Sequence, residues 1–109
     1  MNKQLKDVAL TIGHNVGNVP TWSTESICAT AAAVLGVDGL TAYTVRGIWQ
    51  GTHEESTRLE ICGVVNAAEL LQRVEALATA LQQKCIMCTV TDSQTQFIGA
   101  TAAENTAIL

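Results

Sequence analysis

Leu70, Leu71, Val74, Leu77, Ala78 and Leu81 recur at intervals of three and four, a spacing that gathers on one face only when the chain is an α-helix. Asn66 and Glu69 open this helix as a capping box in which asparagine replaces the usual serine or threonine. A helix with one apolar stripe must lie against something. A second helix follows a cap at Thr21 or Ser23, presents Ile27, Ala31, Val34 and Leu35 together with Cys28 and Ala32, and ends at Gly36, which suits a left-handed C-cap.

The other periodic segments alternate. Between Lys6 and Gly13, Val8, Leu10 and Ile12 share one parity and Ala9 and Thr11 the other, as in a half-buried strand. Residues 40–49 carry Tyr43, Val45 and Trp49 on one parity and Thr44, Arg46 and Ile48 on the other. Residues 57–63 set Leu59 and Ile61 against Arg58, Glu60 and Cys62. A turn centred near His53 would make these two strands a hairpin, pairing Val45 with Ile61, Trp49 with Thr57, and Arg46 with Glu60. His53, Glu54 and Glu55 would then sit at the tip, beyond strand pairing. Residues 85–90 give a further strand, and a turn at Asp92, Ser93 and Gln94 leads to a short one over 95–99.

The order β-α-β-β-α-β with a short extra C-terminal strand predicts an α+β chain of the ferredoxin-like, split βαβ kind, an antiparallel sheet covered on one face by two helices. Residues 1–99 form one domain and 100–109 a tail or arm. The outward parity is expected to hold Thr44, Arg46, Ile48, Arg58, Glu60 and Cys62. With one sheet face bare, the chain is expected to form a homo-oligomer, a dimer or a trimer.

Composition narrows the function. With 48% hydrophobic and 15% charged residues in 109, the chain has material for a core and not the profile of a disordered one. Its apolar runs, such as residues 29–37, break well before the roughly 18 residues of a membrane span. A net charge of −4 with six scattered basic residues excludes a phosphate-neutralising patch, so no nucleic-acid partner is expected. No apolar stretch follows Lys3 and Lys6, which implies a cytoplasmic protein. Cys28, Cys62, Cys85 and Cys88 are then expected to be reduced, buried and without metal, since strand parity would separate Cys85 from Cys88.

No catalytic constellation is legible. There is no nucleophile elbow, no cofactor fingerprint, and only two histidines, His14 and His53, each expected in a surface loop. Gly13, His14, Asn15, Gly17 and Asn18 lie between a strand and a helix start, where backbone N–H groups suit a small anionic ligand. Arg46, Trp49, His53, Glu54, Glu55 and Glu60 are candidates for a partner or subunit interface, with Trp49 as its aromatic anchor. Trp22, at a helix start, is expected to pack locally.

Trp49, Gly51, Glu54 and Glu55 spell W-x-G-x-x-E-E, which resembles the segment joining the central strands of the CutA family, relatives of the PII signalling proteins. The resemblance covers about a dozen residues and the order of elements. It implies a trimer with ligand sites in clefts between subunits. That family's Cys-Val-Asn run before the hairpin and its His-Pro-Tyr-x-x-Pro-Glu run after the second helix are missing, Pro20 being the single proline.

The reading that follows is a non-catalytic, oligomeric binding or adaptor domain that needs no cofactor. It would hold a small anionic or nucleotide-like metabolite, or a partner protein, at loop 13–18 and hairpin 49–56. One alternative is a small inhibitor encoded by a mobile element or phage. Another is a cofactorless ferredoxin-like monooxygenase, for which Asn15, Trp22, His14 and Trp49 would supply the side chains.

Overall fold

The computed structural model describes residues 4–99; the expected tail over 100–109 lies outside them. Strand β1 (Lys6–Gly13) is followed by a miniature hairpin, β2 (Asn15–Val16) and β3 (Val19–Pro20), then α1 (Thr24–Leu35), β4 (Thr41–Trp49), β5 (Thr52–Val64), α2 (Ala67–Ala80) and β6 (Met87–Asp92). The four long strands form an antiparallel sheet in the order β4-β5-β1-β6. Two helices lie on one face of it. This is the ferredoxin-like α+β plan.

The core is the intersection of the two periods. Val8, Leu10 and Ile12 of β1 and Leu59 and Ile61 of β5 face Ile27, Ala31 and Leu35 of α1 and Leu70, Val74, Leu77 and Leu81 in or just after α2. Ser23 caps α1 through a reciprocal box with Ser26, and Asn66 accepts the Glu69 N–H at the start of α2. Gly36 ends α1 at φ 65°, and the space a Cβ would fill there holds the Arg73 guanidinium, which donates to Leu35 O at 2.9 Å. One helix thus caps the other.

The hairpin register differs from the expected one. Gln50 and Gly51 both have positive φ, 49° and 80°, so the turn takes two residues and closes on the pair Trp49 and Thr52. Val45 therefore faces Ser56 rather than Ile61, and Arg46 faces Glu55 rather than Glu60. His53, Glu54 and Glu55 lie within β5 and are not a tip. An odd shift of register exchanges faces. Thr44, Arg46 and Ile48 belong to the helix side, while Tyr43, Val45, Gly47 and Trp49 share the uncovered face with Glu54, Arg58, Glu60 and Cys62.

Three further expectations are corrected. Residues 95–99 form no strand; Ser93 is buried, and the Thr95 hydroxyl donates to Asp7 Oδ1 at 3.3 Å, which turns the segment away from the sheet edge. The last strand begins at Met87, so Cys85 precedes it and strand parity does not govern the Cys85–Cys88 pair. Cys88 on the edge strand β6, Cys85 before it and Cys62 on the uncovered face of β5 are exposed, and Cys28 on α1 is half-buried.

Gly36→Ala is expected to destabilise the fold by about 1 kcal/mol or more, from the left-handed backbone and the displaced Arg73 together, measurable by urea denaturation. The Asp7 carboxyl is held below its ordinary 3.8 by the Ser93 hydroxyl first and by the Gly63 N–H and Thr95 hydroxyl as well, against partial desolvation. Its stabilising effect is present above that ordinary value and is lost as pH falls through the lower folded-state value. Acid melting curves of Asp7→Asn should be flatter over that window than those of the wild type.

Candidate functional site

The end of the sheet at the β4–β5 turn carries the polar chemistry. His14 follows β1 directly, and its backbone is fully used: N–H donates to Glu55 O at 3.0 Å, and its carbonyl accepts from Thr21 N and Trp22 N at 3.0 and 2.9 Å. His14 as a whole is 8% exposed, not a surface loop histidine as expected. The miniature β2–β3 hairpin folds the connection back and shelters it.

His14 Nε2 lies 2.7 Å from Thr57 Oγ1, which lies 2.8 Å from Thr24 Oγ1, which lies 2.6 Å from Thr44 Oγ1. Each hydroxyl has one proton, so the chain of bonds runs in one direction, set by the His14 tautomer. Glu55 Oε2 stands 4.0 Å from Nδ1. A tautomer with its N–H on Nδ1 faces that carboxylate and leaves Nε2 to accept from Thr57. Arg46 Nη2 meets Glu55 Oε1 at 3.8 Å with both side chains largely exposed, a pair of little energetic weight.

On the opposite, uncovered face of the same strand end stands Glu54. Its partner across the hairpin is Gly47, and Gly13 lies diagonally across on β1. A Cβ on Gly13 would collide with Glu54 Oε1, whereas a Cβ on Gly47 would meet nothing within 4 Å. The carboxylate therefore leans over β1, where Oε1 accepts from the Asn15 N–H at 3.4 Å, and the Gly47 side is open. Trp49 is two residues further along this face and 57% exposed. Gly47 thus leaves a gap in this face, a shallow notch, with the Glu54 carboxylate beyond it toward β1 and the indole beside it on β4.

The site candidates read from sequence thus divide. Gly13, Asn15, Glu54 and Trp49 converge on the notch, and His14, Arg46 and Glu55 lie on the helix side behind it. Gly17 and Asn18 occupy the exposed turn of the miniature hairpin, and His53 is exposed opposite Ile48. Glu60 is mid-sheet, where it accepts from the Tyr43 hydroxyl at 2.6 Å and meets Arg58 Nε at 3.6 Å. That bond, with desolvation and the negative charge of Glu60, raises the Tyr43 pKa. Cys62 on this face is held in its thiol form by partial desolvation and by Asp7 and Glu60. Trp22 does not pack locally as expected: it lies against the core, and its Nε1–H donates to Leu81 O, 59 positions away at the end of α2, at 2.8 Å. Thr24, Thr44, Thr57 and Gly47 went unread in the sequence because their roles depend on the register.

A cavity of about 510 Å³ lies at the other end of the sheet, by Gly63, Val65, Phe97 and Ile98. No ionisable side chain lines it, so it offers binding volume without chemistry. Among the described residues no group of three or more His, Cys, Asp or Glu is placed to hold a metal ion, and no helix is long and apolar enough to cross a membrane.

The sequence matches no family model and no curated protein. Solved structures do match. The fold resembles that of CutA. The CutA of Synechococcus elongatus, complexed with Bis-Tris, superposes with a TM-score of 0.55 at 13% identity over 96% of this chain and 90% of that one. A DUF3240 family protein from Shewanella baltica gives 0.61 at 11%, over 92% and 100%. A phage SAM lyase in complex with S-methyl-5′-thioadenosine gives 0.69 at 17%, over 84% of each chain. At such identities the likeness is one of fold.

Thr57→Val keeps the shape of a fully buried side chain but removes the partner shared by His14 and Thr24. It should cost about 1–3 kcal/mol by thermal or denaturant unfolding, and Thr44→Val, at the exposed end of the chain of bonds, clearly less.

Proposed function

We propose that this chain binds S-adenosylmethionine on the uncovered sheet face at the β4–β5 end and breaks its sulfonium C–S bond. One observation carries the reading: a carboxylate, Glu54, set beside open backbone at Gly47 and an exposed indole at Trp49. An indole face suits adenine stacking. Same-face neighbours on a strand are about 6.6 Å apart, two rises of the chain, roughly the reach across a ribose. The Glu54 carboxylate, leaning over β1, stands two strand spacings from β4, roughly 10 Å, where it suits the cationic end of such a ligand and not the anion the loop suggested. The phage lyase, with its thioadenosine ligand, lends the ligand class.

The chemistry asks little of a protein. When the C–S bond breaks, sulfur keeps the electron pair and leaves as a neutral thioether. The ligand's own carboxylate attacks the carbon that sulfur leaves and closes a lactone as the C–S bond breaks, so neither water, metal nor redox cofactor is consumed. The chain's own residues bind, orient and exclude water. The bare outer face and the open edges of β4 and β6 support a homo-oligomer in which a second copy covers the notch, an interface of ordinary size burying about 800 Å² per partner. Three exposed thiols fit a reducing, cytoplasmic setting.

Purified protein incubated with S-adenosylmethionine should release S-methyl-5′-thioadenosine, read by liquid chromatography, and light scattering should give a dimer or trimer. Glu54→Gln should weaken S-adenosylmethionine binding about tenfold, or 1.4 kcal/mol, and barely change that of the neutral thioether. Trp49→Ala should weaken both by about 1–3 kcal/mol. A wild type that neither binds nor cleaves S-adenosylmethionine overturns the reading.

A further inference from the structure

The two glycines beside Glu54 differ in a way that backbone conformation does not explain. Neither Gly13 nor Gly47 has a positive φ, unlike Gly17, Gly36, Gly51 and Gly63, so an alanine would suit the backbone at both. Both lie in strands, where glycine is a cost: it loses more conformational freedom on folding and packs no side chain. The surroundings supply the reason. At Gly13 the missing Cβ is where the Glu54 carboxylate lies, Oε1 and Cδ both within clashing distance of it. At Gly47 the missing Cβ leaves open space on the same face, directly across from Glu54.

We infer that these glycines are positioning residues with opposite tasks: Gly13 draws the Glu54 carboxylate toward β1 and the Asn15 N–H, and Gly47 keeps the vacated side open as the seat of the ligand's ribose. This rests on the proposed binding of S-adenosylmethionine. Its physical content is separable from that reading. The obstacle at Gly13 is the far end of one flexible side chain and not backbone, so Gly13→Ala moves Glu54 and little else. Glu54, once displaced, loses its hydrogen bond to Asn15. A methyl group at Gly47 touches nothing in the protein, so Gly47→Ala leaves Glu54 in place and crowds the ligand alone.

The test combines a structural and a functional readout on the full chain. The Asn15 amide resonance in a ¹⁵N-edited NMR spectrum reports the Glu54 carboxylate, and Glu54→Ala gives its position when that carboxylate is absent. Gly13→Ala should move the Asn15 resonance to the Glu54→Ala position. Gly47→Ala should leave it at the wild-type position. Calorimetric titration should show Gly13→Ala weakening S-adenosylmethionine about tenfold while sparing S-methyl-5′-thioadenosine, and Gly47→Ala weakening both; one factor of ten is 1.4 kcal/mol. Gly13→Ala in the Glu54→Gln background should add no further loss.

An unmoved Asn15 resonance in Gly13→Ala overturns the role of Gly13, whatever the ligand. Unchanged affinities in Gly47→Ala overturn that of Gly47. Failure of the wild type to bind either compound defeats the functional reading instead, and the amide shifts still decide whether Gly13 places Glu54.

Discussion

The backbone of His14 holds three elements at one point. Through its N–H and carbonyl it joins the end of β1 to β5 and to the entry of α1, and its ring continues into hydroxyls on α1 and β4. Chain entering a helix from a strand normally leaves polar backbone groups to be satisfied, and burying them without partners is costly. Here the His14 carbonyl takes the N–H groups of Thr21 and Trp22, Ser23 caps the helix itself, and the His14 ring adds a buried side-chain relay. These bonds tie the N-terminus of α1 to the β4–β5 end, and on the opposite face Asn15 and Glu54 meet beside the same crossing.

The second constraint is the turn at Gln50 and Gly51. Two left-handed residues match the right-handed twist of the flanking strands, and they decide which residues of β5 share a face with which residues of β4. Glu54 meets Gly47 and stands near Trp49 only in that register. The expected alternative, a longer connection around His53, satisfied an Arg46–Glu60 charge pair. That pair is worth a few tenths to about 1 kcal/mol, too little to compete with a turn whose backbone geometry suits the hairpin.

Much of the architecture was legible because it rests on periodicity. Leu70, Val74 and Leu77, and Val8, Leu10 and Ile12, occupy the core as their spacing implies, and Ser23 and Gly36 bound α1. The site was less legible, since its geometry depends on register, and a register error of odd size inverts every face assignment. Gly13, Asn15, Glu54 and Trp49 were singled out, but as parts of two separate features, a loop and a hairpin tip. His14 was misread because a histidine beside Gly and Asn carries no sign of the Thr57 hydroxyl that buries it. Apolar neighbours in sequence do not show that Cys88 lies on an edge strand or that Cys62 points to the sheet face without helices.

Arg73 reaches from α2 to the last carbonyl of α1, a contact between residues 38 positions apart. Helix ends usually fray one at a time, each with its own local cap. In this chain the final turn of α1 lacks its charged cap until α2 has docked, and Arg73 is itself steadied by Glu69 one turn earlier. The two helices are thereby joined into one cooperative unit: loosening of α2 exposes the end of α1 in the same event. Local opening of the helical layer should therefore involve the pair, leaving the sheet, with its notch, as the slower-exchanging part of the molecule.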